Sequence, residues 1–169
     1  WVKKRSAVQN WWVHHDSIMD SYLYLNTTGA KDLLSAPSTD WVTSDSDFTL
    51  TTALTSNGLN ANASTYIAYL FGDLAGISQS FTFTADGTKT IDLGFTAGVK
   101  WMWFKRTDAT GDWYMYDSVR GIVAGNDPYL LLNTTGAEVT STDLVDPDNS
   151  GFICNINDTG TYVGWAISN

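Results

Sequence analysis

The chain has 169 residues, enough for one substantial core, since a domain of about 150 residues buries roughly 70% of the surface its unfolded form exposes. Apolar residues make up 43% and charged residues 16%, with eight Trp, eight Tyr and seven Phe, a balance that excludes a disordered chain. Nine Lys and Arg stand against 18 Asp and Glu, and the net charge of −9 excludes a general nucleic-acid surface because it repels a polyanion.

In chain order, "KKR" at Lys3 to Arg5 reads as a solvated strand end rather than a phosphate track. A chain opening on Trp1 rather than Met is expected to be a fragment or a processed piece. The next strand, "NWWVHHDS", carries adjacent histidines, His14 and His15. Neighbouring strand side chains point to opposite faces, so these two do not jointly chelate an ion, and no metal or other cofactor is expected. Asp16 and Ser17 at its end read as partners for backbone amides.

"YLYLNTTGA" (Tyr22 to Ala30) reads as a strand closed by a turn. The formal glycosylation sequon at Asn26, and its counterpart at Asn133, is read as that turn. "AKDLLSA" around Leu33 and "GDLAGIS" around Leu74 have the only apolar spacing expected to support a turn or two of helix. "SDSD" (Ser44 to Asp47) and "DPD" (Asp146 to Asp148) lack the ordered spacing of a calcium loop and read as solvated turns.

"SFTFTADGTKTIDLGF" alternates Phe81, Phe83 and Ala85 inward, then returns as Ile91, Leu93 and Phe95, which predicts a hairpin turning at Asp86 to Thr88. "WMWF" sets Trp101 and Trp103 on one face and Met102 and Phe104 on the other. Both faces cannot be the core of one two-layer sandwich. Some aromatics are therefore expected in a subunit interface, under a loop, or on a sugar-stacking surface, with the interface preferred. "GFICNIN" places Phe152, Cys154 and Ile156 on one face, so the single cysteine is read as a buried, inert thiol and no intrachain disulfide is possible. The longest apolar runs fall far short of the roughly 20 residues that span a bilayer.

The chain repeats itself. "KRSAVQNWWVHHDSI" from Lys4 overlies "KRTDATGDWYMYDSV" from Lys105 without a gap, matching Trp12 to Trp113 and Asp16 to Asp117. "YLLLNTTGA" (Tyr129 to Ala137) repeats "YLYLNTTGA" after an insertion, "RGIVAGNDP", and "STYIAYLF" from Ser64 corresponds to "GTYVGWAI" from Gly160. Many short strands with turn signals every 8 to 12 residues predict an all-β, antiparallel sandwich of jelly-roll type. The expected organisation is one domain over 1–169, made of repeats at roughly 1–72 and 81–169 joined by 73–80. A single pseudo-twofold core is favoured because one shared core shields more apolar surface than two half-sized ones.

The run "TIDLGFTAGVKWMWFKRTDATGDWYMYDSVRG", followed by "YLLLNTTGAE" and "SGFICNINDTGTYVGWAI", resembles a domain repeated in tail-fibre-like and other structural proteins of bacteriophages, many of them marine. The resemblance covers almost the whole chain in two copies and implies a concanavalin-like fold. Ala97 stands where that family usually has Pro, and Met19 stands in the first copy where the second has Arg120.

No "GxSxG", phosphate-cradling glycine loop or Cys and His pairing is present, so catalysis has no residues to stand on. The resemblance implies a non-enzymatic virion protein, in a tail fibre or surface appendage, that contacts a host glycan, further copies of itself or neighbouring virion proteins. Nucleic acid and membrane insertion are not expected. The candidate contact residues are Trp11, Trp12, Trp113, Tyr114, Tyr116 and Arg120. Two other readings stand beside this one: a purely structural coat or filament subunit, and a polysaccharide depolymerase using Asp16 and Asp117 as a carboxylate pair.

Overall fold

β-branched and aromatic runs broken by Gly, Asn and Asp favour short paired strands. The computed structural model, which describes residues 1–35, 40–44, 47–51, 54 and 58–169, is all-β with several antiparallel sheets. The strands are β1 (Val2–Lys4), β2 (Trp11–Val13), β3 (Ser21–Tyr24), β4 (Asp32–Leu33), β5 (Trp41–Thr43), β6 (Phe48–Leu50), β7 (Tyr66–Ala68) and β8 (Ser78–Asp86). They continue as β9 (Lys89–Asp92), β10 (Val99–Arg106), β11 (Trp113–Asp117), β12 (Leu130–Leu131), β13 (Val145–Asp148), β14 (Gly151–Cys154) and β15 (Asn157–Ser168). The first large sheet has the order β4-β3-β2-β1-β7 and the second β12-β11-β10-β15-β8. A three-stranded sheet, β13-β14-β9, and the pair β5-β6 complete the set.

Neither expected helix forms. Asp32 and Leu33 pair with β3, and part of "AKDLLSA" lies outside the described residues. "GDLAGIS" closes as a turn in which Leu74 and Ser78 exchange amide-to-carbonyl bonds of 2.9 Å. An isolated turn of helix is costly to nucleate, and strand pairing supplies more bonds. Asp16–Ile18 forms a 3-10 turn, and among the described residues Asp40 and Leu54 are helical as well. "SDSD" falls partly outside the described residues. "DPD" is not a turn but strand β13, with Pro147 on a sheet edge where its missing N–H costs no ladder bond.

The gapless overlay of the "W" strands needs correcting by one residue. Asn26 Oδ1 accepts from the Trp11 amide at 2.8 Å, and Asn133 Oδ1 accepts from the Trp113 amide at 2.8 Å. Asn26 Nδ2 donates to Asn10 (2.9 Å) as Asn133 Nδ2 donates to Asp112 (2.8 Å). Lys3 Nζ donates to the Gln9 carbonyl as Lys105 Nζ does to that of Gly111, and each ammonium lies 5.8 Å from the ring of Trp11 or Trp113. Trp11, not Trp12, therefore occupies the place of Trp113. Letter identity at "KR" and "DS" masked the slip, yet a one-residue shift turns every strand side chain to the other face.

The predicted hairpin over 81–95 is also corrected. Its inward set is right, because Phe81, Phe83, Ala85, Ile91, Leu93 and Phe95 are all buried. The two strands do not pair with each other: β8 joins β15, and β9 joins β14. Phe81 and Phe83 instead face Phe152 across a shared interior, with ring centroids 5.5 and 6.0 Å apart.

Buried side chains divide into three clusters rather than one shared core. The first lies between β8, β10, β11 and β15 on one side and β9, β13 and β14 on the other, and includes Met102, Phe104, Phe152 and Cys154. Burial raises the Cys154 thiol pKa, consistent with an inert thiol. The second gathers Val2, Trp12 and Tyr22 of the first large sheet with Trp41, Leu54 and Leu59. The third joins Val13, Ile18 and Leu23 to Trp103, Trp113 and Val163, so it couples the two large sheets. Both faces of the second large sheet are covered by this chain. Trp103 therefore needs no subunit interface to be buried, contrary to the expectation from "WMWF".

Candidate ligand-binding cleft

The third cluster runs out at one end of the two large sheets, where β1 begins, β2 ends and the segment after β7 crosses over. A cleft of about 510 Å³ opens there. Its walls are aromatic, including Trp41, Phe48, Tyr69, Phe71, Trp103 and Trp165, with Trp1 at its inner side. Phe71 holds the wall together, lying 5.1 Å from Trp165 and 5.8 Å from Trp103 between ring centroids. Trp165 is fixed by its Nε1, which donates to the Gly72 carbonyl at 3.2 Å.

The polar lining comes from residues that end strands. His14 and His15 follow β2, and both line the cleft while taking different partners. His14 stacks on Trp41 at 4.9 Å, and its Nδ1 donates to the Ser21 carbonyl at 3.3 Å. Burial lowers its pKa, so the ring is neutral and Nε2 is left as an acceptor. His15 is buried, with Nε2 donating to the Gly164 carbonyl at 2.9 Å and Nδ1 lying 2.9 Å from Asp16 Oδ1. That contact with His15 holds the Asp16 carboxyl down at about 2, against the opposing effect of burial. Asp16 is therefore ionised at neutral pH and unsuited to protonating a leaving group.

Asp16 and Asp73 meet at Ser80. The Ser80 hydroxyl lies 2.7 Å from Asp73 Oδ2 and 3.2 Å from Asp16 Oδ2, and Asp73 Oδ1 also accepts from the Ser80 amide at 2.7 Å. A hydroxyl has one proton, so it serves one of these carboxylates at a time and leaves the other with acceptor capacity. Three buried polar atoms of cleft residues, Trp103 Nε1, His14 Nε2 and Trp1 Nε1, have no hydrogen-bond partner among the described residues. Buried polar groups are normally satisfied, so unpaired donors and an acceptor beside a cleft are groups that a bound molecule can satisfy.

None of the six predicted contact residues lines this cleft. Trp12, Trp113 and Tyr116 are 1%, 0% and 0% exposed, which corrects their expected contact role: a side chain in a close-packed interior presents no surface. Trp113 Nε1 is used internally, donating to the Tyr24 carbonyl at 2.9 Å. Trp11 and Tyr114 are half-buried, Tyr114 packed 5.3 Å from Phe104. Arg120 is exposed but tied to Asp117 and, at 2.9 Å, to Glu138. Asp117 is 9% exposed and accepts from the amides of Val119 (3.0 Å) and Arg120 (2.9 Å), the strand-end role read from the sequence. Asp16 lines the cleft and Asp117 does not, so the cleft does not unite that pair. Among the described residues no group of three or more His, Cys, Asp or Glu is placed to hold a metal ion, and no helix is long and apolar enough to cross a membrane.

The sequence reading missed Trp41, Phe71, Trp165 and Asp73. One signal was available: the segment "YLFGD" between the two halves is apolar where a connecting segment is normally polar, and Tyr69 and Leu70 are 47% and 66% exposed. Neither curated proteins nor solved structures yield a match to the chain. Residues 1–166 match one family model, and on that match the chain belongs to the family described as a domain of unknown function (DUF7483).

Proposed function

We propose that this protein is a non-enzymatic adhesive domain that binds a glycan in the cleft between its two large sheets. The observation that carries this reading is an aromatic-walled cleft whose buried polar atoms lack partners within the chain. Sugar rings present apolar faces that stack on Trp and Tyr, and hydroxyls that accept from indole N–H groups and donate to carboxylates. Trp103 Nε1 supplies a donor, and His14 Nε2 and the Asp73 and Asp16 carboxylates supply acceptors. The cleft does not hold Asp117 beside Asp16, and the ionised Asp16 is unsuited to the general-acid role, which supports binding rather than hydrolysis.

The proposed frame is two copies of one β unit, each a small sandwich, stacked back to back as one domain. The matched Asn, Lys and Trp contacts at β2 and β11 support it, as does the pairing of Tyr22 with Asp32 and of Tyr129 with Val139 in the two "YLxLN" segments. A place on a phage particle, in a tail fibre or surface appendage, is proposed on the sequence resemblance alone.

The test is a titration of the purified protein with extracted host-surface polysaccharide, followed by tryptophan fluorescence, with reducing ends assayed in parallel. A saturable change that Trp165→Ala abolishes, without new reducing ends, is the expected result. Chain cleavage would overturn the non-enzymatic reading. A flat titration would favour a structural subunit whose exposed aromatics meet other proteins.

A further inference from the structure

The cleft also selects by charge. Asp16, Asp47 and Asp73 line it, and no lysine or arginine among the described residues does. It opens on a chain whose net charge is −9, so the surrounding field carries the same sign as the lining. Acidic sugars are disfavoured on both grounds, since a uronate or sialate carboxylate entering this space would meet three carboxylates against one cation, the Trp1 ammonium, which is already bonded to the Tyr69 carbonyl and whose pKa burial lowers to about 6.

We infer that the cleft takes an amine-bearing saccharide, such as a chain of glucosamine units, in preference to a neutral one, and rejects acidic ones. This rests on the glycan reading above and names its ligand class. Two independent features point to it. The first is the arrangement at Ser80, where Asp73 Oδ2 takes the hydroxyl proton at 2.7 Å and also accepts from Gln79 Nε2 at 2.9 Å, which leaves Asp16 Oδ2, 3.2 Å from the same hydroxyl, open to a charged donor. The second is the aromatic wall of Trp41, Tyr69, Phe71 and Trp165, because the faces of such rings attract an ammonium group as well as stacking on a sugar. Trp103 is 98% buried with its Nε1 unpartnered, and it supplies the donor that a ring hydroxyl or ring oxygen would take. An amine-bearing sugar is the ligand that uses all three: apolar ring face, hydroxyls and cation.

The experiment compares three probes of equal length on the full chain: a glucosamine tetramer, cellotetraose and a tetragalacturonate. Dissociation constants are read by tryptophan fluorescence and calorimetry below neutral pH, where the sugar amines are protonated. The glucosamine tetramer should bind about tenfold more tightly than cellotetraose, with the gap narrowing as salt screens the charges, and the galacturonate should not bind. In Asp73→Asn the gap should fall below about threefold; Asp16→Asn serves as the second variant if the first does not fold by circular dichroism. Galacturonate binding as tightly as cellotetraose, or a gap that survives both substitutions, overturns the charge selection while the glycan reading stands. Failure of all three probes overturns both.

Discussion

Asn26 and Asn133 explain at residue scale why the chain spells "LNTTGA" twice. Each side chain uses both ends of its amide, accepting from a Trp amide at the start of a strand and donating to a residue just before it. A glycan on either nitrogen would take one of its two protons and crowd the contact that the nitrogen makes, so the turn reading agrees with the geometry. Asn133→Ala should cost about 1–3 kcal/mol in urea denaturation, because it strands the Trp113 amide beside a fully buried ring. Asn26→Ala, at an exposed position, should cost about 1 kcal/mol or less. Equal costs would show that burial does not set the difference.

Lys105 is the other residue with a readable consequence. It is fully buried, donates to the Thr28 and Gly111 carbonyls, and burial lowers its pKa to about 8 from an unfolded value of 10.5. The folded state then binds fewer protons than the unfolded state between these values, so stability should rise with pH above about 8. Urea midpoints measured from pH 8 to 9.5, above the range in which the Trp1 ammonium contributes, should climb more steeply for the native chain than for Lys105→Met. A climb of the same slope in the variant would assign the effect to another group.

At the scale of elements, β15 is the strand that the fold is built around, lying between β10 and β8. Gly164 sits where the ladder is tightest: a Cβ there would fall 2.4 Å from the Trp103 carbonyl oxygen and 2.5 Å from the Phe81 ring. Gly164→Ala should therefore cost about 3 kcal/mol or more, measured as a loss of thermal midpoint. In the first half, Ala68 faces Val2 as Gly164 faces Phe104, and there alanine is accommodated on the edge strand β7. The same scale shows why "FTFTADGTKTIDLGF" misled. Period-two alternation reports which side chains face inward, and it is identical whether two strands pair with each other or face each other from different sheets.

For the whole molecule, the cluster between the large sheets is the decisive feature. It buries Leu23 (1% exposed) against Trp103, Trp113 and Val163, and it shapes the cleft at its open end. Leu23→Ala should lower stability by about 2–5 kcal/mol and, on the proposed function, weaken glycan binding as well, since Leu23 packs in the cluster that shares Trp103 with the cleft. A variant as stable as the native chain would mean that the sheets are held by the Thr28 and Lys31 contacts to the Gly111 and Thr107 loop instead.

By itself the sequence determined the all-β class, the faces of most strands and the buried cysteine. These follow from local alternation and turn chemistry, which act within a few residues. Only the tertiary structure decided that β8 and β9 part, that Trp11 rather than Trp12 matches Trp113, and that Trp12, Trp113 and Tyr116 are interior. It alone brought Trp41, Phe71, Asp73 and Trp165 to one cleft with Asp16. Those outcomes depend on which sheet covers which face, and a strand's own pattern is the same whether its second face meets water or another sheet of the same chain.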